Sequence, residues 1–298
     1  MNFDSIIVGG GPAGLNAALV LGRAKRNAIL FDDNQPRNAV TQESHGYLTR
    51  DGVSPAEFRK IGHQEIARYP SISFRQQRVT DILPKGDSFS VSTTDGETVH
   101  AKTIILATGL KEKLPSVDHI HQFYGKSLFS CPYCDGWERR DKKLVIISEG
   151  THTFHMAKTV WNWSREIVVC TNGHQPLTPE EREMLIKKDI EIIEDRIVAL
   201  IGERGYLEQI NFETHQPIRR ETGFVTTEWY QAAHFGEQLG CDLNPLGGAA
   251  VDNLGRTSVS GVYAAGESIG MPSQLIIAAS DGSRAAAAVN MDLIEREF

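Results

Sequence analysis

The chain has 298 residues, 40% of them hydrophobic, with 31 basic and 38 acidic side chains for a net charge of -7. That length accommodates two domains of roughly 100–200 residues, and an acidic balance without any Lys/Arg-rich run excludes a nucleic-acid-binding surface. No apolar run approaches the ~18 residues of a membrane span, and Met1 leads straight into an apolar strand instead of a leader-like segment, so no membrane association and a cytoplasmic location are expected.

Residues Ile6 to Val8 predict a first strand, followed by Gly9-Gly10-Gly11-Pro12-Ala13-Gly14 and a helix over 15–22. A G-x-G-x-x-G run in that context is a dinucleotide fingerprint. Gly9 permits the tight turn, Gly11 lets the backbone approach a pyrophosphate, and Gly14 allows helix to pack on strand, while the helix N-terminus offers N–H groups to the anion. Strand 29–31 ends at Asp32, eighteen residues beyond Gly14, where a carboxylate accepts from an adenosine ribose; Asp33 is the alternative, and the sequence does not separate the two. Residues 80–100 alternate in polarity around Gly86 and Asp95-Gly96, which predicts an antiparallel meander before a further strand over 103–106 and Ala107-Thr108-Gly109.

Beyond these lies Cys131-Pro132-Tyr133-Cys134-Asp135-Gly136. Four cysteines in a cytosolic chain of this length leave a redox or metal role for the C-x-x-C pair. A structural zinc site wants four Cys/His ligands, and Cys170 and Cys241 stand alone, so no metal is expected. Two cysteines three apart at a helix start can close a disulfide, and helix N–H groups favour the thiolate. Strands over 145–147 and 167–169 open a second βαβ pattern, and residues 190–224 predict another antiparallel piece with a hairpin at Gly202 to Gly205. The predicted fold is therefore α/β, with two Rossmann-like dinucleotide-binding domains that each carry a small antiparallel β insertion.

Ala107-Thr108-Gly109 and Gly261-Val262-Tyr263-Ala264-Ala265-Gly266-Glu267 resemble the ATG and GxYAAGD signatures of two-dinucleotide-domain flavoproteins. The resemblance implies FAD, with Glu267 at the ribityl chain in place of the usual Asp and a helix starting near Gln274-Leu275 pointing its N-terminus at the flavin pyrimidine edge. With the dithiol between these motifs, the whole chain resembles the low-molecular-weight thioredoxin reductase family. That implies an FAD-binding domain of residues 1–114 and 241–298, a central NADPH-like domain of residues 115–240, and a homodimer. It also implies that Cys131 exchanges with an external disulfide, that Cys134 sits nearer the flavin, and that Asp135 protonates a leaving thiolate.

The second nucleotide pattern departs from that family. Where G-x-G-x-x-A/G holds NADPH, the chain reads Ser148-Glu149-Gly150-Thr151-His152-Thr153, and Cys170-Thr171-Asn172-Gly173-His174 replaces the usual arginines. Like charges ~4 Å apart cost roughly 1 kcal/mol even in water, so Glu149 disfavours a pyrophosphate and the reading argues against ordinary NADPH use. Residues 36–39 and 44–52 also resemble the branch that contains fungal-type dithiol oxidases, which implies Arg37 and Asn38 at the FAD phosphates and His45 near the dithiol or flavin. The expected activity is thiol–disulfide exchange between flavin and a thioredoxin-like partner, with a donor such as ferredoxin. The alternatives are oxidation of a small dithiol with oxygen as acceptor, or a non-catalytic FAD-binding redox regulator.

Overall fold

The computed structural model describes residues 2–298, which form two compact units. One holds the chain up to Ala39 together with Gly46–Lys111 and Trp229–Phe298, and the other holds Val40–His45 and Glu112–Glu228. The return to the first unit comes at Trp229, earlier than the expected 241, because Phe235 and Leu239 are buried in the first unit's core.

The chain begins with β1 (Asn2–Val8), α1 (Pro12–Arg23) and β2 (Ala28–Phe31), then a 3-10 turn (Arg37–Val40), α2 (Pro55–Ile66) and β3 (Ile72–Arg75). Pro12 starts α1 at the position where a missing N–H costs nothing. Ser54 caps α2 by accepting the Glu57 N–H at 3.2 Å. Then come β4 (Val79–Lys85), β5 (Ser88–Thr93) and β6 (Thr98–Leu106), and β7 (Leu110–Lys113) spans the passage from Lys111 of the first unit to Glu112 of the second.

The second unit runs through α3 (Ile120–Phe123), β8 (Leu128–Phe129), α4 (Pro132–Asp135), β9 (Leu144–Ile147), α5 (Thr153–Val160), β10 (Ile167–Cys170) and α6 (Pro179–Ile186). It continues with β11 (Glu191–Ile193), β12 (Ile197–Glu203), β13 (Tyr206–Phe212), β14 (Ile218–Arg219) and β15 (Thr222–Val225). Its main sheet has the order β11-β10-β9-β15-β8, all parallel. β9, β10 and β15 are buried at every residue, as strands covered on both faces should be. β12, β13 and β14 form the small antiparallel sheet, and the β12–β13 turn places Arg204 and Gly205 at φ 53° and 88°, the signs a two-residue hairpin needs.

The chain returns by β16 (Glu228–Gln231), α7 (Phe235–Gln238), β17 (Val262–Ala264) and α8 (Leu275–Glu297). The first unit's sheet has the order β3-β2-β1-β6-β5-β4, with β17 also on β6. β6 serves two arrangements at once: its first half pairs antiparallel with β5, while it lies parallel to β1 from His100 onward and to β17 along its apolar end. The sequence reading splits this strand because its pattern changes from alternating to continuously apolar midway. Val8 ends β1 in register with Phe31 and Leu106, so the loops after β1, β2 and β6 emerge together at the carboxyl edge, where doubly wound sheets hold ligands. Among the described residues, no helix is long and apolar enough to cross a membrane.

Candidate functional site

In the first unit, the turn after β1 is shaped by its glycines. Gly9 has φ 110°, and its N–H donates to the Phe31 carbonyl at 2.8 Å. A side chain at Gly14 would place its Cβ 1.8 Å from the Gly9 oxygen, so α1 can pack this closely on the turn only with glycine there. Gly11 is the opposite case. Its added Cβ would meet nothing within 4 Å, which leaves the backbone open on the side an anion would approach. Pro12 and Ala13 begin α1, and Ala13 is buried against the position of Gly266.

The two candidate ribose acids diverge. Asp32 is buried, accepts the Gly10 N–H at 3.2 Å and pairs with Arg59. Asp33 points to Arg78, at 2.7 Å. Asp32 is thus the acid at the glycine turn.

Ala107, Thr108 and Gly109 follow β6, with Gly109 at φ 73° and its N–H on the Ser268 hydroxyl at 3.1 Å. Gly266 and Glu267 open the 3-10 turn after β17. Glu267 receives Arg37 at 2.5 Å and the Ser273 N–H at 3.1 Å, so the longer acid reaches the loop after β2 and the approach to α8 together. Gln274 caps α8 without a side-chain bond, Leu275 is its first residue, and Asn38 sits beside Arg37 in the 3-10 turn. The fit to an FAD-like group rests on the open face of Gly11 and on two buried polar atoms, Ser273 Oγ and Arg59 Nε, that lack a hydrogen-bond partner. Ser268, Ser273 and Arg59 lie outside every motif, and no spacing signal points to them.

The second unit carries the dithiol. Cys131 and Cys134 are joined as a disulfide with Cα atoms 5.2 Å apart. Cys131 caps α4, its sulfur accepting the Cys134 N–H at 3.1 Å, and Pro132 takes the first helical position. The helix is a single turn that passes into a 3-10 turn (Trp137–Arg139), so little macrodipole is available and the sulfurs depend on local N–H groups instead. Asp135 is 9% exposed, and burial pushes its carboxyl up to about 6, against the pull of Arg139 and His45 and with Glu138 adding to the rise. Arg139 lies 3.5 Å from the Phe129 ring centre and donates to the Asp135 carbonyl at 2.9 Å. His45, expected near dithiol or flavin, belongs to this unit, with its ring 3.8 Å from Glu138. Tyr133 and Trp137 flank the disulfide at 71% and 65% exposure. Cys170 and Cys241 are buried and unbridged, and burial raises both thiols. No metal-holding cluster occurs among the described residues.

At the carboxyl ends of β9 and β10, Ser148 is buried with its hydroxyl 2.6 Å from that of Thr153 and 2.7 Å from that of Thr226. Glu149 accepts the Ser116 N–H and the Asn172 amide. His174 is exposed on the following loop.

Residues 3–282 match the family model described as pyridine nucleotide-disulphide oxidoreductase. A solved Bacillus anthracis protein described as the thioredoxin reductase TrxB is 45% identical, with a TM-score of 0.96 over 99% of this chain and 100% of that one. Thioredoxin reductase sirT of Leptosphaeria maculans is 29% identical over 98% of this chain and 94% of its own length. The Helicobacter pylori thioredoxin reductase is 28% identical over 96% and 97%. With the glycine turn, the paired strand-end loops and the dithiol turn all in place, the chain belongs to the pyridine nucleotide-disulphide oxidoreductase family, as a thioredoxin reductase-like, flavin-dependent oxidoreductase.

Proposed function

We propose that the protein exchanges electrons between FAD and the disulfide of a thioredoxin-like partner through Cys131 and Cys134, with a donor such as ferredoxin in place of ordinary NADPH. The observation that carries this is the Cys131–Cys134 disulfide in one turn with Asp135, a buried carboxyl raised to about 6. A raised acid beside a dithiol can hold and release a proton near neutral pH. Gly9, Gly11, Pro12, Ala13, Gly14 and Asp32 would hold the ADP half of FAD. Arg37, Asn38, Ala107, Thr108, Gly109, Gly266, Glu267, Gln274 and Leu275 would surround the rest. When bound, FAD supplies a two-electron store.

In the reduced pair, the Cys131 thiolate attacks the partner disulfide and displaces one partner thiolate. Cys134 then attacks Cys131, releasing the second partner thiolate and re-forming the Cys131–Cys134 disulfide. The partner gains two electrons and two protons, one of them from Asp135. Exposed Tyr133 and Trp137 give that partner a surface beside the sulfurs. The relatives' names support the choice of thioredoxin as partner, and the altered turn at Ser148 and Glu149 supports a donor other than NADPH. A cytoplasmic homodimer is the matching assembly.

The test is thiol formation in thioredoxin with reduced ferredoxin or NADPH as sole donor. Ferredoxin-dependent thiols, lost in Cys131→Ser, are expected; thiol formation with NADPH alone at a comparable rate would sink the reading. A second direction is favoured by the same acid, since above pH 6 Asp135 is mostly carboxylate and can take a proton from a thiol. A small dithiol would then lose two electrons and two protons to the pair and flavin, and oxygen would accept them as hydrogen peroxide. Oxygen uptake with a dithiol and no other reductant selects that direction.

A further inference from the structure

The turn after β9 carries a carboxylate, Glu149, next to the open backbone of Gly150, in the place where a nucleotide-binding unit takes a phosphate. Glu149 takes the Ser116 N–H on both carboxylate oxygens, at 2.9 and 3.0 Å, and the Asn172 amide at 2.6 Å. Asn172 is fixed in turn, at φ 51° with its own Oδ1 accepting the Ile197 N–H at 2.9 Å. One acid therefore ties the end of β9 to the end of β10, to residue 116 and to the start of β12. Beneath it, the Ser148 hydroxyl bonds to those of Thr153 and Thr226, and Thr153 Oγ1 donates to the Gly150 carbonyl at 2.6 Å. The crevice outside the carboxyl ends of such strands is the place where a doubly wound unit takes an anion.

We propose that Glu149 is the specificity-determining residue of this unit: its carboxylate occupies that crevice from within the chain and turns pyridine nucleotides away. This rests on the reading above that NADPH is not the ordinary donor, and it names the side chain responsible. Two effects act together. A nucleotide phosphate brought to ~4 Å meets a like charge, at roughly 1 kcal/mol in water and more where solvent is partly excluded. It must also separate Glu149 from the Ser116 and Asn172 donors, whose hydrogen bonds to a charged acceptor are the stronger kind.

The experiment titrates NADPH calorimetrically into the oxidised, flavin-loaded wild type, Glu149→Ala and Glu149→Gln, with the flavin spectrum and circular dichroism as checks of folding. Wild type is expected to show no saturable binding at about 1 mM, and Glu149→Ala to bind at least about tenfold tighter, a difference of ~1.4 kcal/mol. Glu149→Gln keeps an acceptor for the Ser116 N–H while losing the charge, so it stays informative if the alanine variant fails to fold, and it too should gain binding. Folded variants that bind no better than wild type would overturn the role of Glu149 while leaving the donor reading intact. Saturable, micromolar binding by wild type would overturn both.

Discussion

Asp135 is a buried carboxyl beside the dithiol, and its protonation has a definite sign. Its carboxyl rises from an ordinary value of about 3.9 to about 6, chiefly through burial. Between those values the folded state binds more protons than the unfolded chain, so stability falls as pH rises through that window and stays lower above it. The shift corresponds to at most roughly 3 kcal/mol. Asp135→Asn should therefore be more stable than wild type by about 1–3 kcal/mol at pH 8 and equal to it near pH 3.5, as read by urea denaturation. The same variant should reduce partner disulfide about 100-fold more slowly. Unchanged turnover would leave Asp135 without a proton role. The sequence placed an acid beside the dithiol, but its burial depends on packing that no spacing reveals. Likewise the choice between Asp32 and Asp33 required seeing which carboxylate reaches the Gly10 N–H.

At the scale of elements, the glycine turn and α1 depend on a contact too close for any side chain. Gly14→Ala should cost about 1–3 kcal/mol through overpacking and yield protein with little bound flavin, measured as flavin absorbance per protein. Full flavin content would show that the turn tolerates a shift. A second element-level constraint joins α8 to the strand edge. Asp292 accepts Arg256 at 2.7 and 2.8 Å and the Tyr263 hydroxyl at 2.6 Å, and the Arg256 hydrogen bonds chiefly hold its carboxyl below the usual range. This stabilisation is present above the ordinary carboxylate range and is lost as pH falls through the depressed value. Asp292→Asn should cost about 1–3 kcal/mol at neutral pH, with the difference disappearing once pH falls below the depressed value. Equal denaturation midpoints at pH 7 would show the network to be neutral. The first glycine turn, the crossover strands and the hairpin at Gly205 were legible because each has a local pattern. The double duty of β6 was not, since its two halves follow different periods. Nor was the placement of Val40–His45 with the second unit, because that segment has no composition signal and its location is set by distant packing.

For the whole molecule, the chain builds a mixed sheet in the first unit and a parallel sheet in the second, and the two strand-end turns differ in side chains more than in backbone access, since Gly11 and Gly150 are both open. In the turn after β9, Glu149 is held by the Ser116 N–H and the Asn172 amide, and Ser148 bonds to neighbouring hydroxyls. Under the proposed function, one unit holds the cofactor, the other carries the dithiol, and pyridine nucleotide is not the ordinary donor. The most direct check is an anaerobic titration of the flavin-loaded protein, following flavin absorbance, first with NADPH and then with a dithiol. The account predicts that NADPH leaves the flavin oxidised and that the dithiol bleaches it in wild type but not in Cys134→Ser. Rapid bleaching by micromolar NADPH would contradict it, and would make the turn at Ser148 and Glu149 a working nucleotide site.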